Sequence, residues 1–154
     1  MKEIRREIPK VNEPEPDLMT ANQVIEFAQV SPRQIQWWDE RGILEPRIIG
    51  HRRYFTEREA TEVRVIGEMR RKGLGTRMIQ KVLKTMQRCL PAKPSTGLFV
   101  FIALSPGNRR PSNVRISIVS RAETASELTR ARGGVFLVEI EEPRAAVNTH
   151  AVGA

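Results

Sequence analysis

Between Val30 and Thr56 the chain reads VSPRQIQWWDERGILEPRIIGHRRYFT, and the side chains in it that can do chemistry fall into two clusters. The first is Arg33, Gln34, Gln36 and Trp37. Ser31 can cap a helix, Pro32 suits its first position, Gln34 completes a capping box, and Gly42 is placed to end the helix near residue 40. On such a helix Arg33 and Trp37 are four apart and share a face, with Gln34 and Gln36 nearby, while Ile35 and Trp38 are three apart on another. Ile35 and Trp38 are assigned to the core, and Val30 stands where a hydrophobic staple to Ile35 would begin. The other face then carries guanidinium and amide groups, which hydrogen-bond base edges or phosphates. Ordinary core packing is the competing reading for Trp37, and a solvated arginine for Arg33.

The second cluster is Arg47, His51, Arg52, Arg53 and Tyr54. Two β-prone pieces, Arg47 to Ile49 and Arg53 to Phe55, flank Gly50, His51 and Arg52, which can form a tight turn, so a hairpin tipped with basic groups is predicted. A guanidinium there can pair with two phosphate oxygens or enter a narrow minor groove; the competing reading is a charged edge that discourages strand pairing. Tyr54 and Phe55 should alternate out and in, leaving the Tyr54 hydroxyl able to reach backbone phosphate. His51 reads as a turn residue and not a metal ligand, because the only other histidine is His150 in the expected loose tail. Arg70, Arg71 and Lys72 form a further basic run that fits a flanking contact or a solvated face equally well. The stretch from Ser105 to Arg110 reads as an exposed turn.

These clusters need elements to hold them. Thr20 is expected to cap a short helix through Ala28, with Val24, Ile25 and Ala28 on its apolar side; this helix and the one from Pro32 make a helix-turn-helix pair turning around Gln29 to Ser31. Thr56 and Glu59 form another capping box, and Ala60, Val63, Ile66 and Met69 keep one face through to Lys72. Gly73 and Gly75 break that helix, Thr76 can cap the next, and Ile79, Val82, Leu83 and Met86 recur at helical spacing until Pro91 and Pro94. Met69, Met78 and Met86 read as core packing. Beyond the PAKPSTG linker, Leu98 to Leu104, Val114 to Val119 and Val135 to Ile140 are of strand type. Ala122 to Arg132 reads as a helix with Ala125, Leu128 and Thr129 on one side. A strand, a helix and a strand predict a right-handed parallel crossover, with a core thin enough to need a partner surface. The predicted fold is α+β: a disordered leader over 1–18, four helices and a hairpin over 19–90, a linker over 91–97, a small α/β module over 98–142 and a flexible tail over 143–154.

Charge limits the partners. Residues 19–90 hold 14 basic and 8 acidic groups of a chain whose net charge is +8, so the centre alone carries +6 and favours a polyanion whose grip weakens as salt rises. Charge by itself does not choose among DNA, RNA and anionic lipid. The single cysteine, Cys89, excludes an internal disulfide and a multi-cysteine metal cage and reads as a semi-buried thiol. No stretch reaches the roughly 18 to 20 apolar residues of a membrane span, so a cytoplasmic protein without membrane association is expected. No Gly-rich phosphate loop, ligand cluster or locally supported nucleophile is present, so neither an enzyme nor a cofactor is expected.

The segments VSPRQIQWWDERGIL, RRYFTEREATEV and RRKGLGTRMIQKVL, in this order and spacing, resemble the recognition helix, wing and final helix pair of the MerR family of bacterial transcription regulators. The likeness spans Thr20 to about Leu90. WW stands where the family usually has two tyrosines, and Pro91 and Pro94 stand where family regulators continue into a long coiled-coil helix. The resemblance implies a winged helix-turn-helix domain on double-stranded DNA, acting as a homodimer, with the recognition helix in the major groove and the hairpin, then called a wing, on the adjacent backbone or minor groove. It also implies RNA polymerase as a partner at promoters, a place on the bacterial nucleoid, and a phosphate contact for the Thr20 hydroxyl. An excisionase-like or chromosome-architectural DNA binder, and an adaptor acting through residues 98–142, are the alternatives.

Overall fold

The computed structural model describes residues 18–106 and 114–143. The expectations for residues 1–17 of the leader, for 107–110 of the loop and for the tail from 144, with its His150, lie outside the described residues. Two compact units divide the chain inside one long helix, residues up to 67 with Pro143 in the first and 68–142 in the second. Among the described residues no helix is long and apolar enough to cross a membrane.

The first unit begins with β1 (Met19–Thr20), α1 (Ala21–Ala28) and α2 (Pro32–Glu40), followed by β2 (Arg47–Ile49), β3 (Arg52–Phe55) and the start of α3 (Glu57–Arg71). Its helices start where side chains replace the missing backbone partners of a first turn. Thr20 and Gln23 exchange hydrogen bonds of 2.9 and 3.2 Å, Ser31 and Gln34 of 2.9 and 3.1 Å, and Thr56 and Glu59 of 2.8 and 3.1 Å. Gln29 ends α1 at φ 57, and its side-chain amide donates to the Glu26 carbonyl at 2.8 Å. That bond satisfies one of the open carbonyls of the helix end while the chain turns toward Ser31.

Three expectations are corrected here. Phe27 joins Val24 and Ala28 in the buried stripe of α1, and Ile25 is only half-buried. Leu18, assigned to the leader, is buried with the folded residues. Met19 and Thr20 form a strand: they pair with Phe55 and Tyr54, giving an antiparallel three-stranded sheet in the order β1-β3-β2. Two residues are too few to show the period-2 pattern by which a strand is recognised.

The second unit holds the end of α3, α4 (Thr76–Cys89), β4 (Leu98–Leu104), β5 (Val114–Ser120), α5 (Arg121–Arg130) and β6 (Val135–Ile140). Its sheet runs β5-β4-β6 and both pairings are antiparallel. This corrects the parallel crossover: β5 and β6 run the same way but lie on either side of β4. The strand LFVFIAL takes the centre because it is apolar on both faces. Phe99, Phe101 and Ala103 group with Val119, Ala131 and Val135, while Val100, Ile102 and Leu104 alternate with them and are buried on the opposite face. Gly133 is needed where the chain leaves α5 for β6, since a Cβ there would collide with the Leu104 carbonyl oxygen.

Met78, Ile79, Val82, Leu83 and Met86 are buried along α4, which packs on β5. Thr76 is the first residue of α4 and not its cap; the cap position is Gly75, with no side-chain bond. Cys89, read as semi-buried, is exposed at the end of α4. The expected apolar side of α5 is also exposed, Leu128 at 49 %.

Within α3 the stripe Ala60, Val63, Ile66 and Met69 is fully buried, and Glu62 is largely buried beside it. Burial pushes Glu62 up to about 7; the Glu59 carboxylate adds to the rise and Arg58 opposes it. The folded chain therefore keeps a proton on Glu62 that the unfolded chain loses near 4.5, so the Glu62 contribution to stability is most favourable at low pH, falls between about 4.5 and 7 and is level above. Glu62→Gln, neutral at every pH, should raise stability at pH 8 by about 2–4 kcal/mol and by much less at pH 5. Urea unfolding at the two pH values measures the difference; an unchanged gap would show that Glu62 ionises freely in the fold.

Candidate nucleic-acid interface

The α2 face anticipated from spacing is open. Arg33, Gln34, Gln36 and Trp37 are exposed, and Ile35 and Trp38, on the other side of the helix, are each 2 % exposed. Their polar atoms are not equally available. The Gln34 carbonyl oxygen accepts from the Ser31 N–H at 2.9 Å, so its amide nitrogen is the end left to point outward. Gln36 donates to Glu40 at 2.9 Å, which holds its amide along the helix. Arg33 has no carboxylate partner among the described residues.

The indole of Trp37 is 39 % exposed, and the Arg41 guanidinium lies 4.2 Å from its ring centroid. Arg41 was missed by the sequence reading. Its signal was the same four-residue spacing that joined Arg33 to Trp37, continued one turn further, and it makes an Arg33, Trp37, Arg41 row along α2.

The hairpin is tighter than expected. Ile49 pairs with Arg52, so the connection is only Gly50 and His51, with Gly50 at φ 64 in the first turn position as a type II′ turn requires. Arg52, placed at the tip by sequence, is therefore the first residue of β3. Registers decide which side chains share a face. Arg47 and Thr20 both lie opposite Tyr54, with Arg52 two residues before it, so Thr20, Arg47, Arg52 and Tyr54 stand on one face. Arg53 belongs to the other face, with Ile48, Phe55 and Met19. Arg52 and His51 are exposed, and Arg47, Tyr54 and Thr20 are half-buried. The Thr20 hydroxyl accepts from the Gln23 N–H, which makes its capping role structural fact.

Arg53 has a partner of its own. Its Nε donates to Asp39 Oδ2 at 2.8 Å, and the Asp39 side chain is only 4 % exposed. A nearly buried carboxylate needs such a cation, and the cation here comes from β3 while the carboxylate comes from α2. Arg53, expected at phosphate, thus has its Nε on Asp39, while its side chain remains 37 % exposed. Asp39 was not singled out by sequence; fourteen residues separate the pair and no local pattern joins them. A second tie comes from α3, where Arg64 Nη1 donates to the Phe27 carbonyl at 3.0 Å and the guanidinium lies 5.2 Å from the Phe27 ring centroid. Of the basic run after these elements, Arg71 pairs with Glu68 at 2.7 Å and Arg70 reaches the Leu74 carbonyl at 3.4 Å, so two of its three cations serve the helix end.

The first unit thus presents a helix face rich in amide and guanidinium groups and a short hairpin whose outward face and turn carry Arg47, His51, Arg52 and Tyr54. Groups of this kind bind phosphate oxygens and base edges. Residues 19–86 match the model of the MerR HTH family regulatory proteins. No curated protein matches the chain. Removing the Arg53 guanidinium should take a 2.8 Å charged partner from the nearly buried Asp39 and lower stability by about 1–3 kcal/mol. Arg53→Ala against Arg52→Ala in thermal unfolding makes the comparison; equal melting temperatures for the two variants would deny the pair its structural role.

Proposed function

We propose that this chain, whose residues 19–86 belong to the MerR helix-turn-helix family, is a sequence-specific regulator of transcription that reads double-stranded DNA with α2 in the major groove and the β2–β3 hairpin on the adjacent backbone or minor groove. The observation that carries the reading is the division of labour among neighbouring arginines. Arg53 turns inward to fix the hairpin to α2, while Arg52 and the exposed row Arg33, Trp37 and Arg41 stay outside.

In this reading Arg33, Gln34 and Gln36 meet base edges, with the Gln34 amide nitrogen as the best-placed donor for a single base. Trp37 and Arg41 form a flat cationic surface for sugar and phosphate. Arg47, His51, Arg52 and Tyr54 take backbone phosphates and fix register. Thr20 adds its hydroxyl near the start of α1, and Arg53 acts through the hairpin it holds.

One copy of such a domain touches few base pairs, so useful specificity calls for two, and a homodimer formed through residues 98–142 is part of the proposal. Engagement of RNA polymerase at promoters and residence on the nucleoid in the cytoplasm belong to the same reading. Nothing in it requires catalysis or a cofactor.

Fluorescence anisotropy with genomic fragments against competitor DNA at two salt concentrations is the direct test, and absence of sequence preference defeats the proposal. Arg52→Ala should weaken binding to all sequences alike and reduce the salt slope by about 1, as a lost phosphate contact does. Gln34→Ala should relax preference at one base position by about 1–3 kcal/mol, together with a loss of helix stability from the broken capping box.

A further inference from the structure

We propose that the second unit contains a binding site for a small organic anion, a carboxylate carried on a compact apolar body, in a cavity beside the turn that joins α3 to α4. The cavity is about 400 Å³, a size typical of small-molecule sites. Leu74, Met78, Leu104 and Phe136 supply its apolar wall. Two of these belong to the turn and α4, and the others to the ends of β4 and β6, so the wall is built from elements that pack together within residues 68–142. An apolar recess of this size, open to water, gains from an occupant that covers it.

The sign of the occupant follows from the rim. Lys72 and Arg77 flank the cavity, and neither has an acidic partner among the described residues. The segment from Lys72 to Met78 contains no acid, and the nearest one before it, Glu68, is paired with Arg71 at 2.7 Å. Two cations without counterions beside an apolar wall select an anion with an apolar body over a neutral or cationic molecule. This site uses none of the residues that the proposed function places on the duplex; Lys72 alone also belongs to the basic run considered as a flanking contact.

The test uses the full chain, isotope-labelled, in heteronuclear NMR titrations with 4-phenylbutyrate and with its neutral counterpart 4-phenylbutanol. The acid should shift the amide signals of Gly73, Gly75 and Leu104 and saturate at millimolar concentration, while the alcohol should bind about tenfold more weakly, the equivalent of one charge interaction. Lys72→Gln combined with Arg77→Gln should bring the acid down to the affinity of the alcohol without altering the alcohol. Met78→Trp, which fills the recess, should abolish both, with thermal unfolding to verify that each variant is folded. Equal binding of acid and alcohol, shifts confined to other residues, or no shifts with either compound would overturn the proposal. No DNA enters the measurement, so its failure is distinct from failure of the regulator reading.

Discussion

The bond between Arg53 and Asp39 is the constraint on which the geometry of the first unit depends. A carboxylate as deeply covered as that of Asp39 is costly without a cation, and the cation must come from a fixed direction. Once Arg53 supplies it, α2 cannot roll about its axis without breaking a 2.8 Å contact to β3. The helix face that points outward is thereby settled. Strand alternation then does the rest: with Arg53 turned in, its neighbours Arg52 and Tyr54 must turn out, and the register carries Arg47 and Thr20 to their side. One bond to a buried carboxylate thus orients both the outer face of α2 and the Arg52 face of the hairpin.

What the sequence disclosed and what it hid follow the range of the interactions. Capping at Ser31 and Thr56 was legible because donor and acceptor lie three residues apart, and the separation of Ile35 and Trp38 from Arg33 and Trp37 was legible because helical period alone decides it. The hairpin was legible from its glycine and β-prone flanks, although its turn is one residue shorter than read. The contacts that join elements were hidden: Arg53 to Asp39, Arg64 to Phe27, and Met19 to Phe55 each bridge positions that only the folded chain brings together. The sheet of the second unit was misread for a similar reason. A strand-helix-strand pattern implies that its two strands are neighbours, yet the fully apolar β4 needs cover on both faces and cover on both edges, and inserting it between β5 and β6 supplies the edges.

The segment that matches the family runs to residue 86, whereas the first compact unit ends at Gly67. The matched segment therefore includes most of α4, which packs on β5. Ile79, Val82, Leu83 and Met86 are buried on α4, and α4 packs on β5 within the second unit. A thin three-stranded sheet gains from the same contact, because α4 closes a face that would otherwise be wet.

Trp37 and Trp38 are the only two tryptophans in the chain, and adjacent positions place them in opposite surroundings. One is sealed in the interior and the other lies open under the Arg41 guanidinium. The emission of the protein is accordingly the sum of a blue component that reports core integrity and a red component that reports whatever approaches the outer surface of α2. Selective quenching by iodide separates the two without any label, so the molecule carries its own reference signal beside its own probe.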